Sequence, residues 1–183
     1  MSKERIILGI DPGTNIMGYG IIKVTGSLPS LVCLGIIELK KYNDHYIKLK
    51  KLFDRTIQLI DQYHPDELAI EAPFYGRNVQ SMLLLGRAQG VAISAGLNRS
   101  IPIFEYAPRK IKLAITGHGN ASKEQVAALL QSIFKIDSIP KNLDATDGLA
   151  VALCHFYQKN LSQSSNSYKS WNEFIRKNPG RIK

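Results

Sequence analysis

The chain has 183 residues, of which 44% are hydrophobic, and a formal net charge of +9. This length and apolar content suit one globular domain with its own core and exclude a disordered chain. No apolar stretch is long enough to span a bilayer, and the N-terminus lacks the layout of a signal peptide. The two cysteines, Cys33 and Cys154, form neither a disulfide framework nor a zinc-site pattern. We therefore expect a soluble cytoplasmic protein.

The positive charge is unevenly distributed along the chain. Residues 159–183 contain six Lys or Arg residues and one acid, Glu173, which is more than half of the net +9. This segment is also rich in Ser, Asn and Gln, so we predict a basic, flexible tail after a domain of residues 1–158. The domain itself is only mildly basic, so its bulk charge is a weak argument for a nucleic-acid partner.

The first part of the chain predicts three strands, a helix and a fourth strand. The strands cover residues 5–11, 17–25 and 31–39, and Gly26-Ser-Leu-Pro29 connects the second to the third as a hairpin. Apolar residues recur at helical spacing from His45 to Tyr63, and His64-Pro65 ends that helix. Residues 67–71 are predicted to form a short buried strand.

The second part predicts mostly helices. The predicted elements are a helix over 79–97 with Asn78 as its N-cap, a strand over 101–106, a short helix from Pro108 to Thr116, a helix with a Ser122–Gln125 capping box, and a final helix from about Leu143 to about Tyr157. This order of strands and helices indicates an α/β fold with a mixed sheet.

Four acidic residues occupy positions where the predicted elements end or begin. Asp11 ends the first strand and Glu71 ends the fourth, while Asp144 and Asp147 lie three residues apart on one face of the last helix. Carboxylates are ligands for hard divalent cations. A pair of such cations can generate hydroxide from water and stabilise a leaving oxygen, which is the chemistry of phosphodiester hydrolysis.

Each acid also has a simpler explanation when it is taken alone. Asp11 precedes Pro-Gly and can be a turn residue. Asp144 and Asp147 can complement the dipole at the start of their helix. Glu71 is harder to explain, because a charged side chain at an apolar strand end is rarely buried without a partner. Together, the four acids favour a metal site.

Six short sequence motifs, here called blocks, add to the hypothesis of a metal site. They occur in order between residue 5 and about residue 158. The blocks are Gly9-Ile-Asp-Pro-Gly-Thr14, Ala69-Ile-Glu-Ala-Pro-Phe74, Gly86-Arg-Ala-Gln-Gly-Val91, Glu105-Tyr-Ala-Pro-Arg-Lys-Ile-Lys112, Gly117-His-Gly-Asn-Ala-Ser-Lys-Glu-Gln-Val126 and Asp144-Ala-Thr-Asp-Gly-Leu-Ala150. In this order they resemble the RuvC family of crossover junction (Holliday-junction) endodeoxyribonucleases.

The resemblance implies a ribonuclease-H-like fold, with a mixed five-stranded sheet flanked by helices and with the first and fourth strands adjacent. It implies that Asp11, Glu71, Asp144 and Asp147 hold two Mg²⁺ ions, for which Mn²⁺ can substitute. Some family members have His at the position that matches Asp144. This chain has Asp there, so an all-carboxylate set is expected. The implied protein is a homodimer that nicks two strands of a four-way junction during recombination and repair, alongside the RuvA–RuvB branch-migration complex.

The resemblance also assigns residues around the acids. Phe74 matches an aromatic residue that stacks on unpaired bases at the junction centre, and Arg77 can hold a phosphate nearby. Lys112 and Lys123 match basic positions that assist at the scissile phosphate. Lys123 is also predicted at a helix N-terminus, where a phosphate is favoured and a cation is not. The role of His118 is left open.

Three other functions remain possible from the sequence. An actin-like ATPase or sugar kinase shares the Asp-Pro-Gly-Thr loop, but it needs two ribonuclease-H-like lobes, and 183 residues provide one. A non-catalytic DNA-binding relative is expected to lack one or more of the four acids. A ribonuclease-H-like nuclease acting on structured RNA is disfavoured by the blocks around Glu105 and Lys123. We therefore expect a metal-dependent, junction-resolving endonuclease.

Overall fold

The structure is a computed structural model that describes residues 4–73, 78–138, 140, 142–164 and 176. The strands are β1 (Glu4–Asp11), β2 (Ile16–Thr25), β3 (Leu28–Glu38), β4 (Glu67–Glu71) and β5 (Ile103–Tyr106). The helices are α1 (His45–Tyr63), α2 (Val79–Asn98), α3 (Pro108–Thr116), α4 (Lys123–Phe134) and α5 (Asp144–Ser164). Their order is the predicted one.

The five strands form one mixed sheet in the order β3-β2-β1-β4-β5. The pairs β1–β2 and β2–β3 are antiparallel, whereas β1–β4 and β4–β5 are parallel. The first and fourth strands are therefore neighbours near the middle of the sheet. The prediction of a mixed five-stranded sheet flanked by helices is confirmed.

Helices cover both faces of the sheet. Successive side chains along each strand point to opposite faces, so neighbouring residues pack against different helices. Ile7 packs in a cluster with residues of α3, α4 and α5, whereas its neighbour Leu8 packs in a second cluster with residues of α1 and α2. Because β1 is buried on both faces, its middle is a continuous apolar run rather than an alternating one. Within the ranges that the structure describes, no helix is long and apolar enough to cross a membrane.

Side-chain caps set several helix boundaries. The Asn78 side chain accepts a hydrogen bond from the Ser81 N–H at 3.1 Å, and the Ser122–Gln125 capping box is formed as predicted. Asp44 caps α1 by accepting from the Ile47 N–H at 2.8 Å. At the other end of α1, His64 adopts a left-handed conformation with φ of 48°, which ends the helix before Pro65.

Three predicted boundaries were wrong. The final helix continues to Ser164 instead of ending near Tyr157, and Lys159 within this extension forms an ion pair with Glu67 of the sheet. The hairpin connection is shorter than predicted, because Leu28 and Pro29 already pair with β2; Pro29 is tolerated there since β3 is an edge strand. β5 begins at residue 103 rather than 101. The tail predicted from residue 159 lies mostly outside the described residues, and that division stays a prediction.

Candidate active site

Two acids lie at neighbouring strand ends. Asp11 is the last residue of β1 and Glu71 is the last residue of β4. The two strands are parallel and their pairing extends to Ile10 and Ile70, so both acids leave the sheet at the same edge. Both are partly exposed, unlike the fully buried isoleucines before them. The carboxyl ends of parallel strands are a common place for binding sites in α/β folds.

The other two acids lie in the first turn of α5. This helix approaches the sheet closely, because glycines occupy the contact. A Cβ atom on Gly18 would lie 1.9 Å from the carbonyl oxygen of Asp144, and one on Gly148 would lie 2.4 Å from a backbone atom of β2. Real Cβ atoms do not approach so closely, so only glycine allows this packing. The close approach places the start of α5, with Asp147, beside the end of β1.

Three of the four acids line one cavity of about 230 Å³. Asp11, Glu71 and Asp147 share its wall with Lys112 and Lys123, and apolar side chains of α3, α4 and α5 complete it. The fourth acid, Asp144, is the first residue of α5 and accepts a hydrogen bond from Lys123 of the cavity wall. The cavity therefore combines carboxylates with two ammonium groups.

Lys123 links the two acids of α5. Its Nζ donates hydrogen bonds to Asp147 Oδ2 at 2.6 Å and to Asp144 Oδ1 at 3.1 Å. Burial lowers the pKa of Lys123, but the hydrogen bonds and negative charges of these two acids outweigh burial and raise the pKa above its usual range. The side chain therefore stays charged at neutral pH.

Comparison with known proteins shows which family the chain belongs to. The family model described as "Crossover junction endodeoxyribonuclease RuvC" matches residues 7–155, which include the four acids and both lysines. The chain belongs to the RuvC family. The RuvC of Christiangramia forsetii is 62% identical over 183 residues, which is 100% of this chain and 95% of that relative. The RuvC of Bacteroides fragilis is 58% identical, covering 99% and 97% of the two chains.

Solved structures agree with membership of the RuvC family. Thermus thermophilus RuvC in complex with a Holliday junction substrate superposes with a TM-score of 0.80 at 26% identity, covering 86% of this chain and 96% of that one. The yeast mitochondrial Holliday junction resolvase Ydc2 has a TM-score of 0.62 at 15% identity, which supports the fold alone. The sequence-based identification of the family, its ribonuclease-H-like fold and its class of enzyme is confirmed.

The acids of this RuvC-family cavity raise one another's pKa. Burial, followed by the charge of Asp147, raises the pKa of Asp11 to about 7. Burial, followed by the charges of Asp11 and Asp147, raises the pKa of Glu71 to about 8, although Lys123 and Lys112 oppose this shift. Burial also raises the pKa of Asp147, again against Lys123. The two lysines therefore leave the negative charge of the cavity only partly compensated.

The donor set suits a hard divalent cation. Asp11, Glu71 and Asp147 offer carboxylate oxygens to one cavity, and Mg²⁺ prefers oxygen ligands while keeping several waters. Among the described residues, no three His, Cys, Asp or Glu side chains are already grouped closely enough to hold a metal ion. Like charges repel each other, and a bound cation would offset that repulsion. The residues fit the metal dependence of the RuvC family.

This charge pattern predicts that stability without divalent cations falls as pH rises. In the unfolded chain, carboxyl groups have pKa values near 4, whereas Asp11 and Glu71 have pKa values of about 7 and about 8 in the folded protein. Between about pH 4 and pH 8 the unfolded chain therefore binds fewer protons than the folded one. Raising the pH through this window thus lowers the free energy of unfolding. Denaturant unfolding in EDTA across this window measures the effect.

Mg²⁺ is expected to reverse this trend, because it binds the deprotonated carboxylates. The rise in melting temperature that Mg²⁺ produces should therefore be larger at about pH 8 than at about pH 6. A variant with both Asp11→Asn and Glu71→Gln should lose both effects. A wild-type stability in EDTA that is unchanged or higher at pH 8, or an equal Mg²⁺ effect at both values, contradicts the charge pattern.

The remaining predicted residues have different placements. Lys112 lines the cavity as expected. Phe74 and Arg77 lie outside the described residues, so their roles stay predictions. His118 is exposed; its backbone N–H donates to Thr116 Oγ1 at 3.0 Å, and it is not among the described residues that line the cavity.

The sequence reading missed the glycines that let α5 approach the sheet. Gly148 follows Asp147 directly inside a helix, where glycine costs about 1 kcal/mol relative to alanine. Gly18 and Gly20 interrupt a strand in the same way. Glycines at such unfavourable positions were the available signal for a close backbone contact. The buried polar group around His155 was missed as well.

Proposed function

We propose that this protein resolves four-way DNA junctions by hydrolysing one phosphodiester bond in each of two symmetrically related strands. The observation that carries the proposal is the cavity shared by Asp11, Glu71 and Asp147 in a chain of the RuvC family. The similar Thermus thermophilus RuvC has been solved in complex with a Holliday junction substrate. Phosphodiester hydrolysis near neutral pH needs both an activated water and charge neutralisation at the phosphate, and this cavity has groups for both.

Asp11, Glu71, Asp144 and Asp147 are proposed as ligands for two Mg²⁺ ions, with Mn²⁺ as a substitute. When bound, such ions supply a water of lowered pKa and stabilise the charge on the leaving oxygen. The carboxylates would bind the ions and hold them near the ends of β1 and β4. Part of the cavity lining is apolar, including Ile111, and apolar surroundings strengthen electrostatic interactions inside the cavity.

Lys112 and Lys123 are proposed to bind and orient the scissile phosphate. Both line the cavity with the acids, and the Lys123 side chain is 52% exposed, so a DNA strand can reach it. Lys123 is also the first residue of α4, where free backbone N–H groups favour a phosphate. Attack of water on the phosphorus with departure of the 3′ oxygen would leave the 5′-phosphate and 3′-hydroxyl ends that the family resemblance implies.

Phe74 is proposed to engage the opened centre of the junction, and Arg77 is proposed to hold a phosphate nearby. Phe74 lies three residues after Glu71, so it is close in sequence to the cavity. Stacking of a base on an aromatic ring contributes about 1–3 kcal/mol. Phe74→Ala should therefore weaken binding to a junction more than binding to a linear duplex.

A homodimer through α2 is proposed as the functional assembly, because junction resolution requires two cavities. The side chains of Val79, Leu83 and Leu97 on this helix are 67%, 60% and 60% exposed, which is a large apolar area for a monomer surface. Leu83→Asp is expected to shift the protein to monomers in analytical ultracentrifugation and to leave the unfolding of each subunit nearly unchanged. An equally dimeric variant contradicts this interface; Leu113→Asp, at another exposed leucine, is the matched control.

The setting of the reaction is proposed from the family resemblance. A RuvA–RuvB branch-migration complex would supply the junction in the bacterial cytoplasm.

Residues 159–183, with their excess of basic residues, would add a non-specific electrostatic attraction to DNA. Truncation after Ser164 should then weaken junction binding and reduce its salt dependence without changing where the strands are cut.

The function is tested with a labelled four-way junction and a linear duplex of the same arm sequence. The protein should cut the junction in Mg²⁺ and leave it intact in EDTA, while the duplex is cut far more slowly. Equal cutting of the two substrates, or undiminished cutting in EDTA, contradicts the proposal. A matched structured RNA with four arms distinguishes the DNA resolvase from a ribonuclease-H-like nuclease of RNA.

A further inference from the structure

A buried histidine connects α5 to two strands of the sheet. The side chain of His155 is 1% exposed. Its Nδ1 lies 2.6 Å from the hydroxyl oxygen of Tyr106, and its Nε2 lies 2.9 Å from Glu67 Oε2. The imidazole ring also packs on Phe104, with ring centroids 4.4 Å apart. One side chain of α5 therefore contacts both β4 and β5 through directional hydrogen bonds.

The charges around this histidine define its hydrogen bonds. Burial lowers the pKa of His155 to about 4, so the ring is neutral at working pH. Glu67 is already compensated by Arg5, whose Nε lies 3.6 Å from it, and by Lys159, with which it forms a close ion pair. A carboxylate can only accept, so Nε2–H donates to Glu67 and Nδ1 accepts from the Tyr106 hydroxyl. All the hydrogen-bonding capacity of the ring is used.

The partners of His155 lie on strands that lead to, or pair with, an acid of the nuclease cavity. Tyr106 is paired with Glu71 in the sheet, and its carbonyl accepts a hydrogen bond at 2.9 Å from the N–H of Ala72, the residue after that acid. Glu67 begins the same strand that Glu71 ends. On α5, His155 lies eleven residues after Asp144, which is about 20° around the helix from it. The histidine thus connects the strand that carries one acid to the helix face that carries another.

A polar residue is an unusual choice for this location. A leucine could pack against Phe104 without requiring partners, whereas buried polar groups must all be satisfied to be tolerated. The glycine contacts fix α5 against β1 and β2, and apolar packing against β4 and β5 is non-directional. Hydrogen bonds of His155 with β4 and β5 add directional contacts on that side of the sheet.

We propose that His155 is a positioning residue of the nuclease cavity, which fixes the rotation of α5 relative to β4 and so the placement of Asp144 and Asp147 opposite Glu71. This inference rests on the proposed metal site. It does not require the imidazole to touch DNA or metal. The histidine acts only through the relative positions of the acids.

The test measures Mg²⁺ binding to the DNA-free protein by calorimetry, beside the free energy of unfolding. His155→Leu should weaken Mg²⁺ binding by about tenfold, the lower end of the cost of losing a group that orients metal ligands. Tyr106→Phe removes only one of the two hydrogen bonds of the ring and should weaken binding by less than His155→Leu does. His155→Gln, which can still donate to Glu67, should bind more tightly than His155→Leu.

Leu59→Ala is the matched control for a loss of stability. Leu59 is 1% exposed and belongs to the cluster on the opposite face of the sheet, away from α5. It should destabilise the fold at least as much as His155→Leu while leaving Mg²⁺ affinity within about twofold of the wild type. If His155→Leu cannot be purified folded, the comparison between Tyr106→Phe and Leu59→Ala decides.

The outcomes separate the two proposals. Wild-type affinity in the His155 and Tyr106 variants, or equal losses in the Leu59 control, overturns the positioning role and leaves the metal site intact. A wild-type protein that binds no Mg²⁺, or that binds equally well after Asp147→Asn, overturns the metal site and the positioning role with it. Weakened binding in the His155, Tyr106 and Asp147 variants, with near wild-type binding in the Leu59 control, supports both.

Discussion

Asp11→Asn is expected to abolish junction cleavage while making the metal-free protein more stable. Loss of one carboxylate from a metal site should lower the cleavage rate by at least about 10³-fold, because an amide oxygen is a weaker ligand than a carboxylate. The same change removes a charge whose burial beside Asp147 raises the pKa of Asp11 to about 7. At about pH 8 in EDTA, loss of this buried charge should raise the free energy of unfolding by up to about 4 kcal/mol.

The opposite signs of the two effects make this prediction specific. A residue needed only for folding would lose activity and stability together. Asp54→Asn is the matched control, because Asp54 is on the surface of α1 in an ion pair with Lys50, and both readouts should stay near wild type. Single-turnover cleavage of a labelled junction and urea unfolding provide the measurements. An Asp11→Asn protein that cuts normally, or that is less stable than wild type in EDTA, contradicts the account.

Gly148→Ala is expected to have the largest effect on stability. An added Cβ would lie 2.4–2.6 Å from three backbone atoms of Tyr19, and backbone cannot move aside as a flexible side chain can. Overpacking of this kind costs about 3 kcal/mol or more. Because Gly148 adjoins Asp147, displacement of α5 should also lower Mg²⁺ affinity and cleavage. Chemical denaturation and Mg²⁺ calorimetry measure the two losses.

Gly90→Ala provides the contrast, since it is the same substitution within a helix. A Cβ on Gly90 would meet no atom within 4 Å. Because Gly90 is on the same face of α2 as Leu83, the comparison is made in the Leu83→Asp variant, which lacks the proposed dimer interface. Alanine is intrinsically favoured over glycine in a helix by about 1 kcal/mol, so Gly90→Ala should leave the stability of that variant unchanged or slightly higher. If Gly148→Ala were likewise neutral, the close contact between α5 and β2 would not hold in solution.

The acids on strands could be located from the sequence because they interrupt strong local patterns. Asp11 and Glu71 each end an apolar run, and a run that is buried on both faces predicts its own boundary. The pairing of β1 with β4 could not be derived in that way, because strand order depends on contacts between residues that are far apart in sequence. It was available only through the resemblance to the RuvC family.

The elements that depend on tertiary contacts were the ones that sequence patterns missed. The last turns of α5 carry Lys159, whose partner Glu67 is 92 residues away, so local composition suggested a tail instead of a helix. His155 occurs in an otherwise apolar stretch of α5, and its two hydrogen-bond partners come from β4 and β5. The position of α5 against glycines of β1 and β2 is likewise visible only in the folded chain.

The most direct test of the central claim maps the cuts on a four-way junction made by the wild type and by Glu71→Gln. The wild type in Mg²⁺ should make paired nicks at symmetrically related positions, with ends that a DNA ligase reseals. Glu71→Gln should bind the junction in a gel-shift assay with near wild-type affinity and make no nicks. Unpaired or unligatable cuts by the wild type, or paired nicks by Glu71→Gln, would contradict junction resolution at this cavity.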